Sequence, residues 1–247
     1  LYIASSHSGN TEEILDFADE AYSKGLDLIV ITTGGKLLDF AKENNVPFIL
    51  LPNDGIQPRT ALGYSLLALY KIILPAQVSE LQKFQTIIDS QKNINQAKEL
   101  ALLLQNKIPV IYTSSSNRAI AYNWKIKMNE TGKIPAFYNS FSELNHNEMQ
   151  GYDFVVENAG LSEKFHFIFI QDSEDNERIE KRAKATEQIY QEKGFGVTSL
   201  FLEGDSKIEK IFNSLLLADW TALELAKIYK LSLIHISEPT RLRRSSY

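Results

Sequence analysis

The first residues able to do chemistry form a short loop, Ser5-Ser-His-Ser-Gly-Asn-Thr-Glu-Glu13, set between an apolar run and a helical pattern. Hydroxyls of Ser6, Ser8 and Thr11, together with backbone N–H groups at the positive end of a helix, are what an anionic phosphate needs. Gly9 lets the backbone approach closely. The same residues also read as a plain helix cap, with Thr11 or Asn10 capping and Glu12 or Glu13 favouring the first turn. A second group is Asn53-Asp-Gly-Ile-Gln-Pro-Arg-Thr-Ala-Leu-Gly63. There Pro58 fixes the backbone ahead of Arg59, whose planar fork suits an anion, although a surface Arg in a helix cap fits equally. The third pairs Glu130, at the end of a helix carrying Trp124 and Met128 and expected at a buried helix end, with His146 in a polar knot with Asn145, Asn147 and Glu148. A carboxylate and an imidazole supply a general base and a proton shuttle. The alternative makes Glu130 a turn cap and His146 a satisfied loop histidine.

Composition narrows the possibilities. The chain has 247 residues, 26 Lys+Arg against 31 Asp+Glu, a net charge of −5 and no cysteine. Without Cys there is no disulfide scaffold, thiolate nucleophile or thiolate zinc site, and the composition fits a reducing cytoplasm. The histidines at 7, 146, 166 and 235 lack ligand spacing, so no metal is expected. Mild acidity argues against a nucleic-acid partner, which needs clustered Lys and Arg. The basic cluster Arg241, Arg243 and Arg244 stands at the extreme end. No apolar run reaches the roughly 18–20 residues of a membrane span, and no signal peptide appears.

Short apolar runs alternating with helical patterns must position these groups. Strands are expected at Leu1–Ala4, Asp27–Thr32, Pro47–Leu51, Pro109–Tyr112, Ala136–Tyr138, Phe154–Glu157, Phe165–Ile170 and Gly196–Leu202. Helices are expected at Thr11–Lys24, Gly35–Asn44, Arg59–Leu74, Val78–Gln105, Ala119–Glu130, Asn145–Gly151, Glu174–Lys193, Lys207–Leu217 and Asp219–Lys230. Such alternation implies parallel sheet in a layered α/β fold. The long helical stretch Val78–Gln105 reads as a connector, giving a first unit at 1–100 and a second at 101–231. Leu1-Tyr-Ile-Ala opens without Met, as though cut within a domain, and residues 232–247 read as a foreign tail, excluded from the fold argument. Arg178 and Arg182 fall on a solvated helix face, and His166, between Phe165 and Phe167, reads as structural.

Five segments in order, SxSGxTEE, TGGxL at Thr33–Leu37, GIQPRTALGY at Gly55–Tyr64, WKxxxNETGKxPAF from Trp124 and ELNHNEMxGY around His146, carry a further signal. Together they resemble the bifunctional phosphoglucose/phosphomannose isomerase family, built from two sugar isomerase (SIS) domains, from Leu1 to about Lys230. The resemblance implies two doubly wound parallel-sheet SIS domains of flavodoxin-like, three-layer architecture, with the active site near the carboxyl ends of the strands. It implies interconversion of glucose 6-phosphate and fructose 6-phosphate, and of mannose 6-phosphate, with no cofactor. Substrate phosphate falls to Ser6, Ser8 and Thr11, and Pro58 lines the pocket. Glu130 becomes the base of a cis-enediol proton transfer, and Arg59 holds the enediolate charge. His146 assists ring opening and reaches the site from the neighbouring subunit of a homodimer. The resemblance also implies a Gly/Ser-rich loop upstream of Leu1 and a late active-site Lys on a closing helix, neither of which the sequence carries, and a Tyr where His7 stands; the polypeptide is expected to be weak or inactive alone. A non-catalytic SIS module sensing a sugar phosphate is the competing class, distinguished by the Glu130 and His146 pair, which a sensor does not need. An amidotransferase-type isomerase would require a glutaminase domain with an N-terminal Cys.

Overall fold

Alternate residues of a strand point to opposite faces of its sheet, and burial along these strands shows both faces covered. The computed structural model describes residues 1–76, 78, 81, 90–153 and 159–231. The chain divides into two compact units, Leu1–Gln85 and Thr86–Tyr247. In the first, β1 (Tyr2–Ser6), β2 (Leu28–Thr32) and β3 (Phe48–Leu50) run parallel in that order. Ala4 and Val30 face α1 (Glu12–Ser23) and α2 (Gly35–Glu43), where Ala18, Ala21 and Ala41 let the helices lie close to the sheet. Ile3, Ile31 and Ile49 turn the other way and meet Tyr64, Ala68 and Ile72 of α3 (Leu62–Ile73).

The second unit contains α4 (Ser90–Leu104), β4 (Ile108–Thr113), α5 (Arg118–Glu130), β5 (Phe137–Ser140), α6 (Ala159–Ser162), β6 (Phe165–Gln171), α7 (Glu177–Glu192), β7 (Gly196–Phe201) and α8 (Lys207–Ile228). Its four strands are all parallel in the order β5-β4-β6-β7, so the winding reverses between β4 and β6. Ile111, Ile168 and Ile170 pack beneath α4, α5 and α8, with Trp124 fully buried among them. Val110, Tyr112, Phe167 and Phe169 fill the opposite face with Ala183 and Tyr190 of α7. Three layers around a doubly wound parallel sheet are the result.

Several elements differ from the sequence expectation. The helix expected as a connector contributes Ala97, Leu100, Ala101 and Leu104 to the core of the second unit; residues 79–80 and 82–89 of that stretch lie outside the described residues. The helix expected from Arg59 begins at Leu62, preceded by a 3-10 turn over Pro58–Thr60. Asn145–Gly151 is not an α-helix: a 3-10 turn spans Glu148–Tyr152. The last two helices are one, because no breaker separates Leu217 from Asp219, Ala218 is buried, and Asp219 pairs with Lys127. The strand expected at Phe154–Glu157 and the tail 232–247 lie outside the described residues.

Candidate active site

The loop after β1 is held from within and from the loop after β2. The Ser6 and Thr11 hydroxyls lie 2.8 Å apart, and the Gly9 N–H donates to Ser6 Oγ at 3.1 Å. Thr11 occupies the N-cap position of α1 with extended backbone, yet its side chain accepts no bond from the first turn. The expectation of Thr11 as a plain cap is therefore not met: its hydroxyl turns toward Ser6. At the start of α1 the Ile14 and Leu15 N–H groups both return to the Thr11 carbonyl, at 3.1 and 3.0 Å, so Thr11 holds the first turn through its backbone and not its side chain. Asn10 N–H donates to Ser8 Oγ at 3.3 Å, and Ser8 is exposed.

The second loop clamps the first. Thr33 donates to the His7 carbonyl through Oγ1 at 2.6 Å and through N–H at 3.1 Å, and Leu37 N–H donates to the Gly9 carbonyl at 2.9 Å. Gly9 has φ +67°, and a Cβ there would stand 1.8 Å from the Gly34 carbonyl oxygen. Only glycine fits a positive φ at such an approach. His7 is half-buried, with Nδ1 sealed from solvent and unbonded.

Arg59 sits in the 3-10 turn that follows β3, with Pro58 at its start. Its guanidinium has no ion-pair partner among the described residues and is half-buried, whereas Pro58 is exposed. Thr60 Oγ1 closes the turn on the Gln57 carbonyl at 2.8 Å, and Tyr64 Oη ties α3 to Asp54 at 2.7 Å. In this parallel sheet the loop bearing Ser6, Ser8 and Thr11 and the loop bearing Arg59 both leave the carboxyl edge, where ligands of open α/β sheets bind.

In the second unit Glu130 is the last residue of α5 and is exposed, contrary to the buried helix end expected. The cause is the turn that follows. Thr131 and Gly132 N–H both return to the Lys127 carbonyl, at 3.0 and 3.2 Å, and Asn129 Nδ2 reaches the Ile134 carbonyl at 2.9 Å. The backbone dives inward there and leaves the Glu130 carboxylate at the rim, on a well-fastened helix end. His146 is exposed too, and the polar knot expected around it does not form. Asn145 instead bonds Thr186, Asn147 bonds Glu143, and Glu148 bonds Tyr112 and Asn139. Glu130 precedes the start of β5 and His146 follows its end, so the two lie beyond opposite ends of one strand. The structure does not bring this carboxylate and this imidazole together within the unit.

Sequence reading missed a buried polar network at the carboxyl edge of the second sheet, where the winding reverses. Asp172, 3% exposed, accepts from Lys210 Nζ at 2.7 Å, Lys207 Nζ at 3.3 Å and Asn117 Nδ2 at 3.4 Å. Lys210 also donates to Glu174 at 2.7 Å, and Lys207 to Asn117 Oδ1 at 2.6 Å. Burial by itself would raise the Asp172 pKa; the bonds from Lys210, the Glu174 N–H, Lys207 and Asn117 outweigh it and hold the group down to about 2. The pattern was visible as an acid one residue past a strand and two lysines three apart at a helix start. An internal carboxylate is already seated on these cations, whereas the loop of the first unit is lined by hydroxyls. His166 bears out its structural reading: it is 6% exposed and bonded to Thr198 Oγ1 at 2.8 Å. Burial, with Lys107 nearby, pushes its pKa down to about 4.

No group of three or more His, Asp and Glu able to hold a metal ion occurs among the described residues. None of the helices among them is long and apolar enough to cross a membrane.

Residues 93–244 match a family profile described as the bacterial phospho-glucose isomerase C-terminal SIS domain. A bifunctional phosphoglucose/phosphomannose isomerase of Caldicellulosiruptor bescii is 35% identical over 261 residues, covering 99% of this chain and 74% of that protein. One of Aquifex aeolicus is 33% identical over 233 residues, covering 93% and 70%. Among solved structures, the glucosamine-6-phosphate deaminase of Thermotoga maritima superposes with a TM-score of 0.66 at 17% identity, covering 97% of this chain and 72% of that one, and shares the fold.

Proposed function

The chain belongs to the bifunctional phosphoglucose/phosphomannose isomerase family, and from that premise we propose that it interconverts glucose 6-phosphate, mannose 6-phosphate and fructose 6-phosphate. The observation that carries this reading is the loop after β1, where the Thr11 hydroxyl makes no capping bond and joins Ser6 at 2.8 Å at the start of α1. Ser6, Ser8 and Thr11 hold the substrate phosphate, which anchors a flexible open-chain sugar and supplies binding energy remote from the reacting carbons. Pro58 lines the pocket.

Proton transfer follows from the chemistry of the aldose. Glu130 takes the proton from C2, and the C–H electron pair forms the C1–C2 double bond of a cis-enediolate whose negative charge rests on the former aldehyde oxygen. Arg59 stabilises that charge. Once the proton of the C2 hydroxyl has passed to O1, the electrons return through C2, Glu130 delivers its proton to C1, and the ketose results. Glucose and mannose 6-phosphate differ only at C2, which is planar in the enediolate, so both converge on one intermediate. Glu130 stands exposed at a well-fastened helix end, a fixed carboxylate of the type that proton abstraction next to a carbonyl needs.

His146 assists opening of the cyclic sugar. Its position beyond the opposite end of β5 from Glu130 supports a homodimer in which each subunit's His146 serves the other's substrate. The absence of cysteine from the sequence supports a cytoplasmic setting. Incubating the purified chain with fructose 6-phosphate in deuterium oxide tests the function. Deuterium appearing at C2 of newly formed glucose and mannose 6-phosphate supports the isomerase; binding of fructose 6-phosphate with neither product nor exchange refutes it in favour of a sensor.

A further inference from the structure

The loop carrying His146 has little regular structure, yet it is fixed on three sides. Phe141 and Leu144, 1% and 0% exposed, sink into the aromatic face beside Tyr112 and Phe169. Asn145 Nδ2 donates to Thr186 Oγ1 of α7 at 2.8 Å. Glu148, two residues past His146, accepts from Tyr112 Oη at 2.6 Å and from Asn139 Nδ2. Tyr112 is wholly buried in β4, and Asn139 belongs to β5, where its Oδ1 accepts the Ser140 N–H at 2.8 Å. One carboxylate thus ties the loop to two neighbouring strands. Between these anchors Ser142 holds φ +83°, a conformation that a non-glycine residue adopts only when its surroundings impose it.

The chemical demand at this point is narrow. Both partners of Glu148 present donors, and its carboxylate has a separate oxygen for each, so both bonds keep their direction. An amide with its N–H₂ toward Asn139 would set two donors face to face, one with its N–H₂ toward Tyr112 would force the phenol to turn its proton away and accept instead, and an apolar residue would strand a buried phenol. The loop could be fixed by packing alone, as Phe141 and Leu144 show, so a half-buried carboxylate is an expensive way to add stability. What it adds that packing does not is direction: bonds with defined geometry two residues from the imidazole.

We propose that Glu148 is a positioning residue for His146: held by Tyr112 and Asn139, it fixes the loop so that the imidazole meets the ring oxygen of the sugar phosphate. The inference rests on the ring-opening role given to His146 above. Glu148→Gln lowers kcat for glucose 6-phosphate by about 10- to 100-fold, the size of effect expected from a misplacement near 1 Å. Binding of an acyclic sugar-phosphate hydroxamate, an enediolate mimic that needs no ring opening, stays unchanged. Asn139→Asp combined with Glu148→Gln restores the donor–acceptor pairing, because the new amide donates to the new carboxylate, and it restores kcat. Full kcat in Glu148→Gln, loss of hydroxamate binding together with kcat, or no recovery in the double variant overturns the proposal. His146→Ala separates the two levels. If it lowers kcat while Glu148→Gln does not, the positioning role alone fails; if it leaves kcat intact, the ring-opening reading fails and the proposal with it.

Discussion

Replacing Gly9 by alanine tests whether the clamp between the first two loops builds the phosphate site. The added Cβ would stand 1.8 Å from the Gly34 carbonyl oxygen and 2.8 Å from Thr32 Oγ1. A normal contact lies near about 3.5 Å, so the two loops must part by roughly 1.7 Å. Gly25 supplies an internal control, since it has nearly the same φ, +65° against +67°, with nothing within 4 Å of its Cβ position. Alanine at Gly25 meets only the left-handed backbone term, about 1 kcal/mol. Alanine at Gly9 adds overpacking of about 1–3 kcal/mol, for a total of about 2–4. Urea unfolding gives the stability difference, and steady-state kinetics on fructose 6-phosphate give the functional one. Displacing Ser6 and Thr11 by over 1 Å raises KM about tenfold or more in the Gly9 variant, while the Gly25 variant keeps its KM. Equal destabilisation in the two variants, or an unchanged KM at Gly9, refutes the reasoning.

Two further outcomes follow from the buried titratable groups. The folded Asp172 pKa of about 2 lies below its ordinary 3.8, so its stabilisation is complete above about pH 4 and is lost as pH falls toward 2. Asp172→Asn leaves the Lys210 ammonium, 6% exposed, without its main partner and costs about 3 kcal/mol at pH 7 in denaturant unfolding; a loss below about 1 kcal/mol contradicts the network's weight. His166 is held neutral, its pKa lowered from 6.5 to about 4, so its contribution is whole above about pH 6.5 and disappears as pH falls through 4. Stability profiles of the parent and His166→Gln therefore differ in slope between those limits; parallel profiles there would show that the ring is not what titrates.

Much of the fold was legible because apolar runs alternate with amphipathic helices along the described chain, and β2, β6 and β7 fall within a residue or so of their expected bounds. Legibility failed where tertiary bonds override local pattern. Lys207–Leu217 and Asp219–Lys230 read as two helices, since the Asp219 interruption resembles a cap; paired with the buried Lys127, it is an interior helix residue. Asn145–Gly151 has helical periodicity, but its polar side chains are drawn to Thr186, Tyr112 and Asn139, residues far away in sequence. The hydroxyl loop was readable from Ser6 to Thr11 because strand, glycine and helix start are contiguous there. The Asp172 network was not, because its members come from three segments far apart in sequence: the 3-10 turn after β4, the loop after β6 and the first turn of α8. Glu130 was found by motif, and its exposure was missed because helix periodicity says nothing about how the following turn runs.

The central claim is that Glu130 moves the proton while other groups hold the sugar phosphate. Glu130→Gln keeps the size of the side chain and removes the base. Turnover and binding of fructose 6-phosphate, measured side by side in this variant, test the claim most directly. The account predicts that isomerisation is abolished while the dissociation constant stays close to that of the parent. Surviving turnover in the variant would contradict it.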